Sequence, residues 1–477
     1  MDELQLVIEE LRNVTDVTDD SRKVQSGGAF IAVSGNQSDG TKYINDAIEK
    51  GAAVIIRQGG KYYCEKKPNV TLISVTDVRK IMAGVAQYFF RSSFYKIAVV
   101  TGTNGKSSTV DMVRQIMNND NFEAASIGTL GVISRRYTEK FPNHLTSPGS
   151  IALNKILQQL TGKVATVVME ASSHGIEQKR IAYIPFDVCG FTNFSEDHLD
   201  YHKTMNNYWK AKSLLFSDIA PSKAKFVINA DDPKCKHIEK IAKMRNIECL
   251  TYGYKGQDFC IIDIKIDGIG QSVLFEYKPK HEYYKYYLPL AGEFQVYNSL
   301  CALGICYCCG MDIESIVEQI PKIMPIAGRL ERVVPNANIY VDYAHTPDAL
   351  QNAICSLKKS GNVTVVFGCG GDRDSQKREI MGHIASKYAD KVIITDDNPR
   401  TENPATIRQS IMKGCPHAIE IADRREAICY AIDNMKENEF LLIAGKGHED
   451  YQLIGDRTLY FSDREVVQEY LSGKNEN

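Results

Sequence analysis

From Lys96 onward one pattern recurs: a short apolar run stops abruptly at a polar, acidic or glycine-rich loop. Residues 97–100 run into Thr101-Gly102-Thr103-Asn104-Gly105-Lys106, 164–169 end on Glu170, 188–191 on Thr192-Asn193, and 226–228 on Asn229-Ala230-Asp231-Asp232. After Gly328 the pattern resumes, with 339–341 ending on Asp342, 363–367 on Gly368, 392–394 on Thr395 and 440–443 just before Gly445. Helical segments separate most of these runs. Strands alternating with helices predict parallel sheets covered on both faces, with ligands beyond the carboxyl ends of the strands.

The first ninety residues read as a small α/β domain, with strands at 30–33, 53–56 and 71–75. A helix is expected over 41–50, where Tyr43, Ile44, Ala47 and Ile48 recur at helical spacing and Gly51 is a stop. A further helix is expected over 78–90. Residues 259–290 alternate like strands and predict an antiparallel addition to the central sheet. A chain of 477 residues exceeds one core and suggests about three domains. We place them at 1–90, 91–326 and 327–477.

A net charge of −2 gives no pull toward nucleic acid or an acidic membrane surface. No basic-then-apolar leader and no apolar run near the ~20 residues of a membrane span is present, so a cytoplasmic protein without membrane insertion is expected. The 13 cysteines are odd in number and sit mostly in apolar patterns, as reduced, buried thiols do. Cys306, Cys308 and Cys309 lack a second pair at zinc spacing.

Gly102 to Ser108 follows a strand and opens a helix whose Val110, Val113 and Met117 share a face. Glycines there let backbone N–H groups converge on phosphate at a helix N-terminus, Lys106 reaches the outer phosphates, and the Ser107 hydroxyl can ligate Mg²⁺. Val100 stands where the usual loop has its first glycine. Glu170, at a strand end, suits a hard cation held through oxygen, although such a residue taken alone is as often solvated. The segment 191–202 carries His198 and His202 beside Glu196, Asp197 and Asp200. It reads as a metal or phosphoryl site, or as a capped helix start with solvated acids. Lys212, by spacing alone, reads as an ordinary exposed helix lysine.

Three late segments follow strands of one sheet: Gly370-Gly371-Asp372-Arg373-Asp374, Asp396-Asp397-Asn398-Pro399-Arg400 and Gly445-Lys446-Gly447-His448-Glu449. Arginines there give bidentate carboxylate recognition, and Asp397 and Glu449 can hold an ammonium group. Such a mixture suits a zwitterionic amino acid.

Taken in order, these segments resemble the Mur ligases of bacterial peptidoglycan synthesis over essentially the whole chain. The resemblance rests on Asp20-Ser21-Arg22, Asp39-Gly40, the 102–108 loop, Met169-Glu170-Ala171-Ser172-Ser173-His174, Gln178, Arg180 and Asp197-His198-Leu199-Asp200. It continues through Gly328-Arg329-Leu330-Glu331, Asp342-Tyr343-Ala344-His345-Thr346-Pro347 and the three late loops. The family's phosphate loop is normally the short form, so Val100 fits it. The fold implied is α/β: a small UDP-binding N-terminal domain, a central P-loop ATPase-like domain with a mostly parallel sheet, and a Rossmann-like C-terminal domain.

What the resemblance implies for activity is ATP-dependent amide-bond formation through an acyl phosphate. The expected partners are UDP-N-acetylmuramoyl-L-alanyl-D-glutamate and meso-diaminopimelate, with ATP and Mg²⁺ as cofactors and a monomeric protein. Lys106, Glu170, His198 and Lys212 would be catalytic, Lys212 as a carbamylated lysine, and Ser107, Glu170, His198 and Lys212 would hold the metal. ATP would meet Gly102, Thr103, Asn104, Gly105, Lys106, Ser107, Ser108, Asn298, Arg329 and Asp342. The UDP-linked substrate would meet Ser21, Asn36, Gln37, Ser38, Thr146, Ser147, Ser172, Gln178 and Arg180. Diaminopimelate would meet Arg373, Asp397, Asn398, Pro399, Arg400, Gly445 and Glu449. Thr146-Ser147 replaces a Thr-Thr pair usual in the family, and Leu145 stands where Asn is common. The lysine-adding members lack the arginine at 400, and folylpolyglutamate synthetase has no reason to carry the Asp20-Ser21-Arg22 domain; both remain alternatives. So does a nucleotide-binding switch that has lost catalysis.

Overall fold

The computed structural model describes residues 2–35, 39–141 and 146–475; Asn36, Gln37, Ser38 and Leu145 lie outside them. Three main sheets carry the chain. The first has five strands in the order Val17–Thr18, Ala29–Ala32, Val54–Gln58, Val70–Val75 and Tyr63–Lys67, parallel except for the last. The three expected strands are its centre, and the two at the edges were not anticipated. The expected helix at 41–50 is split into a 3-10 turn, Gly40–Tyr43, and a short α-helix, Ile44–Glu49. Helix Val78–Phe89 packs Val78, Ile81, Met82, Val85 and Ala86 against the sheet and is capped by Asp77, which accepts from Lys80 N.

The second sheet has eleven strands. Its centre is parallel: Lys96–Thr101 lies between Val188–Phe191 and Thr166–Glu170. These strands are buried on both faces, which is why they read as continuous apolar runs. Their ends are level, Glu170 pairing in register with Val100 and Phe191 with Thr101. The phosphate loop, Glu170 and the 192–198 segment therefore emerge side by side. Strands Phe259–Asp267, Gly270–Tyr277 and Glu282–Leu288 form the expected antiparallel addition. Helices Lys106–Asn119 and Glu293–Cys308 share one face.

The third sheet places Val363–Phe367 between Phe440–Ala444 and Lys391–Ile394, all parallel. That order brings the three late loops to one edge. No disulfide joins the described cysteines. No described helix is long and apolar enough to cross a membrane.

Candidate active site

The phosphate loop turns on Gly105, whose φ of +84° is left-handed and whose Cβ, were it present, would stand 2.3 Å from Asn298 Oδ1. Only glycine fits both constraints. Helix Lys106–Asn119 starts on the next residue, so its free N–H groups face the loop. Lys106 Nζ donates to the Gly102 and Thr103 carbonyls at 2.9 and 2.7 Å. Burial lowers its pKa against the pull of Glu170 and Asp197. Asn298 is held by its amide, which donates to Gln295 Oε1 at 3.0 Å.

Glu170 is 3% exposed. Its carboxylate accepts from Thr129 N at 2.8 Å and from the Thr129 hydroxyl at 3.3 Å, and Thr129 Oγ1 bonds Thr146 Oγ1 at 3.1 Å. From the same point a polar row runs outward. Ser147 Oγ donates to the Glu170 carbonyl and accepts from Ser172 N. Arg180 donates to the Ser147 carbonyl and to Gln178 Oε1, and Arg79 of helix Val78–Phe89 donates to the same Gln178 oxygen at 3.4 Å. Thr146, Ser147, Ser172, Gln178 and Arg180 are thus one connected row. Ser21 stands apart in the first sheet's region, its carbonyl accepting from Lys50.

Lys212 is 1% exposed, so the reading of it as an exposed helix lysine is wrong. Helix Met205–Leu214 lays it against the phosphate loop, where Nζ donates to the Gly102 carbonyl at 2.7 Å and lies 4.7 Å from the Tyr208 ring centre. Burial, then the nearby Lys106, drive its pKa well below the ordinary lysine value. That shift favours the free amine, the nucleophilic form of a lysine.

His198 has a left-handed φ of +55° and lies 3.3 Å from Asp197. Burial holds its pKa at about 3, so its imidazole is neutral. Burial alone would raise Asp197, yet His198, His345 and Lys377 hold it at about 2. The histidines and acids of 191–202 do not converge on a protein-only metal cage: among the described residues no three His, Cys, Asp or Glu side chains are grouped for a cation. His202 instead bonds Ser173 Oγ at 2.9 Å.

The third sheet closes over this edge. Arg329 Nη2 donates to Ser107 Oγ at 3.0 Å, and its guanidinium lies over the Tyr343 ring. Asp342 is buried, accepts from Leu330 N, and is pushed by burial to about 6. Asp348 accepts from Asn104 Nδ2 and Ser195 Oγ at 3.1 and 3.2 Å. A cavity of about 560 Å³ opens between the sheets, lined by Asn104, Gly105, Ser108, Asn298, Arg329 and Asp342 among others.

Among the late loops, Asn398 Nδ2 donates to Glu449 at 3.0 Å, and Arg400 Nη1 donates to the Gly371 carbonyl at 2.7 Å. Gly445 leaves room for Asp397: a Cβ there would meet Asp397 Oδ2 at 2.8 Å. Pro399 lies against Gly371, its carbonyl 1.9 Å from where that glycine's Cβ would be. Arg373 is exposed beside these loops. Missing from the sequence-derived set are His345, Asp348, Lys377 and Lys446. His345 and Lys446 stand inside motifs already singled out, but nothing in their spacing said which way they faced.

Residues 13–90 match the Mur ligase family catalytic domain, 100–306 the Mur ligase middle domain, and 328–447 the Mur ligase glutamate ligase domain. A relative from Mesorhizobium japonicum named UDP-N-acetylmuramoyl-L-alanyl-D-glutamate--2,6-diaminopimelate ligase is 40% identical over 95% of this chain and 94% of its own. One of the same name from Rickettsia prowazekii is 40% identical over 94% of each chain. A solved structure described by that name aligns with a TM-score of 0.69 at 31% identity, covering 97% of this chain and 95% of its own.

Proposed function

The chain belongs to the Mur ligase family, and on that premise we propose that it joins meso-diaminopimelate to UDP-N-acetylmuramoyl-L-alanyl-D-glutamate. The bond forms at the D-glutamyl side-chain carboxylate, with ATP converted to ADP and phosphate, as a step in making peptidoglycan precursor. The observation that carries this reading is the position of Glu170. Its strand ends level with the phosphate loop, its charge bears on Lys106, and its own carbonyl anchors the Ser147 row. A carboxylate lying along Thr146, Ser147 and Ser172 is thereby brought to the outer phosphate of a nucleotide held at 102–108.

In this mechanism the acceptor carboxylate attacks the γ-phosphorus, the bond to ADP breaks, and an acyl phosphate forms. Lys106, the loop N–H groups and Arg329 stabilise the charge that spreads over the phosphoryl oxygens. An amine of the diamino acid then attacks the acyl carbon and phosphate leaves. The donor set fits Mg²⁺: the Glu170 carboxylate, the Ser107 hydroxyl and a carbamate on Lys212 would offer oxygen ligands. That cation commonly takes one or two carboxylates and completes its shell with phosphate and water. Held by these residues, Mg²⁺ would supply positive charge against the phosphates. His198, neutral and 3.3 Å from Asp197, would meet the phosphate side with a lone pair or an N–H. The 1–90 region would hold the uridine end through Ser21 and the 36–38 segment, and the 327–477 region the amino acid.

The lysine-adding alternative is disfavoured by Arg400, which gives the second carboxylate of diaminopimelate a cationic partner. Folylpolyglutamate synthesis is disfavoured by the match of 13–90 to the family's N-terminal module. Phosphate release measured with ATP, the UDP-dipeptide and either meso-diaminopimelate or L-lysine tests the reading. Turnover with the former is expected, and turnover only with lysine, or without any amine, overturns it.

A further inference from the structure

Lys446 is fully buried, at 0% exposure. A lysine in such a place is costly unless its charge is matched and its N–H groups are used. Its Nζ donates to Asn398 Oδ1 at 3.0 Å and to the Tyr451 carbonyl at 2.6 Å, and lies 3.8 Å from Glu449 Oε2. One ammonium thus ties together the loop after Lys391–Ile394, the loop after Phe440–Ala444 and the hairpin beginning at Tyr451. Asn398, held from one side by Lys446, passes its own amide to Glu449 at 3.0 Å.

Asp397 lies next to this clamp. Burial pushes its carboxyl up, but Lys446, then Arg424, the Asn398 N–H and Arg400 outweigh burial and leave it ionised. Oδ1 accepts from Asn398 N at 2.7 Å, whereas Oδ2 is buried with no hydrogen-bond partner among the described residues. That oxygen points toward the space that Gly445 leaves by having no side chain. The other strong cation nearby, Arg424, is spent on Asp463 through two hydrogen bonds of 2.7 and 2.8 Å. A buried carboxylate oxygen kept charged and left without a donor calls for one from outside.

Resting on the function proposed above, we propose that Lys446 is a positioning residue for the incoming diamino acid. It holds Asn398 and Glu449 in place and leaves Asp397 Oδ2 to receive the ammonium group that does not react. The non-reacting group is the one that fits. The attacking amine must shed a proton to expose its lone pair, and a pair of buried carboxylates would retain that proton. Lys446, fully buried, acts through these three side chains and the Tyr451 carbonyl.

The test uses the full-length enzyme with meso-diaminopimelate and with 2-aminopimelate, which keeps one amine and both carboxylates but lacks the second ammonium. In the unsubstituted enzyme the analogue is expected to show a KM at least about 30-fold higher. In Lys446→Met the KM for meso-diaminopimelate rises by a similar factor of about 30 and the preference over the analogue collapses to about threefold or less. The KM values for ATP and the UDP-dipeptide stay within about twofold, as expected for substrates that meet none of these side chains. Lys446→Gln, which keeps an N–H donor but no charge, supplies the same readout if the Met variant folds poorly. Lys446→Arg, which keeps the charge, is expected to retain part of the preference. A preference unchanged in the Met and Gln variants, or KM values rising equally for all three substrates, overturns the proposal. An unsubstituted enzyme that does not discriminate against the analogue overturns it too. Absence of any turnover with meso-diaminopimelate in the unsubstituted enzyme would instead overturn the function on which it rests.

Discussion

The Lys212 amine and the Lys106 amine share one acceptor, the Gly102 carbonyl, at 2.7 and 2.9 Å. Two ammonium groups that close in a buried place repel strongly. Burial and this neighbour drive the Lys212 pKa well below its ordinary value, and burial lowers that of Lys106 as well. The lowered pKa favours the free amine, which can add to carbon dioxide with loss of a proton to solvent, and the resulting carbamate is an anion that Lys106 attracts. Activity is therefore expected to fall when dissolved carbon dioxide is stripped and to return with bicarbonate. Lys212→Ala should lower kcat by about 100-fold or more, as loss of a preorganised charge at the reacting phosphate does. Unchanged turnover in carbonate-free buffer would count against a modified Lys212.

Gly105→Ala is expected to damage the nucleotide site and the fold together. Its backbone sits at φ +84°, and the added methyl would meet Asn298 Oδ1 at 2.3 Å. The strain should cost about 1–3 kcal/mol, visible as a lower melting temperature. The shift of Asn298 should raise the KM for ATP more than that for the UDP-dipeptide. An alanine variant with unaltered melting and ATP affinity would show that the loop does not need this conformation.

Asp342 makes stability depend on pH in a direction that can be stated. Burial raises its folded pKa to about 6 from an ordinary value of 3.8. The folded state thus favours the protonated form. The stabilisation is full below about pH 4, shrinks as pH rises through 6, and is absent above it, a span of about 3 kcal/mol. Asp342→Asn, always neutral, should remove this slope, raising the melting temperature relative to the unsubstituted enzyme at pH 8 and not at pH 4. Activity should fall nonetheless, because Asp342 lines the cavity beside Arg329. An equal melting difference at both pH values would refute this account.

The parallel centres of the sheets were legible in sequence because strands covered on both faces leave unbroken apolar runs, as 97–100 and 363–367 do. Edge strands carry no such mark. Val17–Thr18 is two residues long, and Tyr63–Lys67 is mostly exposed along its length. Lys212 was misjudged because periodicity reports amphipathicity, and helix Met205–Leu214 buries a lysine against a loop and not against an apolar layer. The motif residues that follow strands do lie side by side, since topology alone brings strand ends together. Asp348 and Lys377 were not legible in sequence: Asp348 reaches Asn104, 244 positions away along the chain, and nothing local encodes that contact.

We propose that Arg400 carries the choice of amino acid. It has a left-handed φ of +51°, and an isolated bridge with Ile454 holds its backbone. Arg400 N donates to the Leu453 carbonyl at 3.0 Å, while the Gly455 N–H donates back to the Arg400 carbonyl at 2.7 Å. The side chain is thus aimed from a fixed backbone, with Nη1 on the Gly371 carbonyl and Gly370 leaving room for the guanidinium. Its remaining N–H groups could form the forked pair that a carboxylate accepts. Arg400→Met would remove that fork while keeping an apolar stem. The expected loss for meso-diaminopimelate is about 2–4 kcal/mol in kcat/KM, some 30- to 1,000-fold. L-Lysine, with no second carboxylate to lose, should be used no worse than before. Steady-state kinetics on both amines decide the matter: equal losses for diaminopimelate and lysine would mean that Arg400 supports the loop and does not read the substrate.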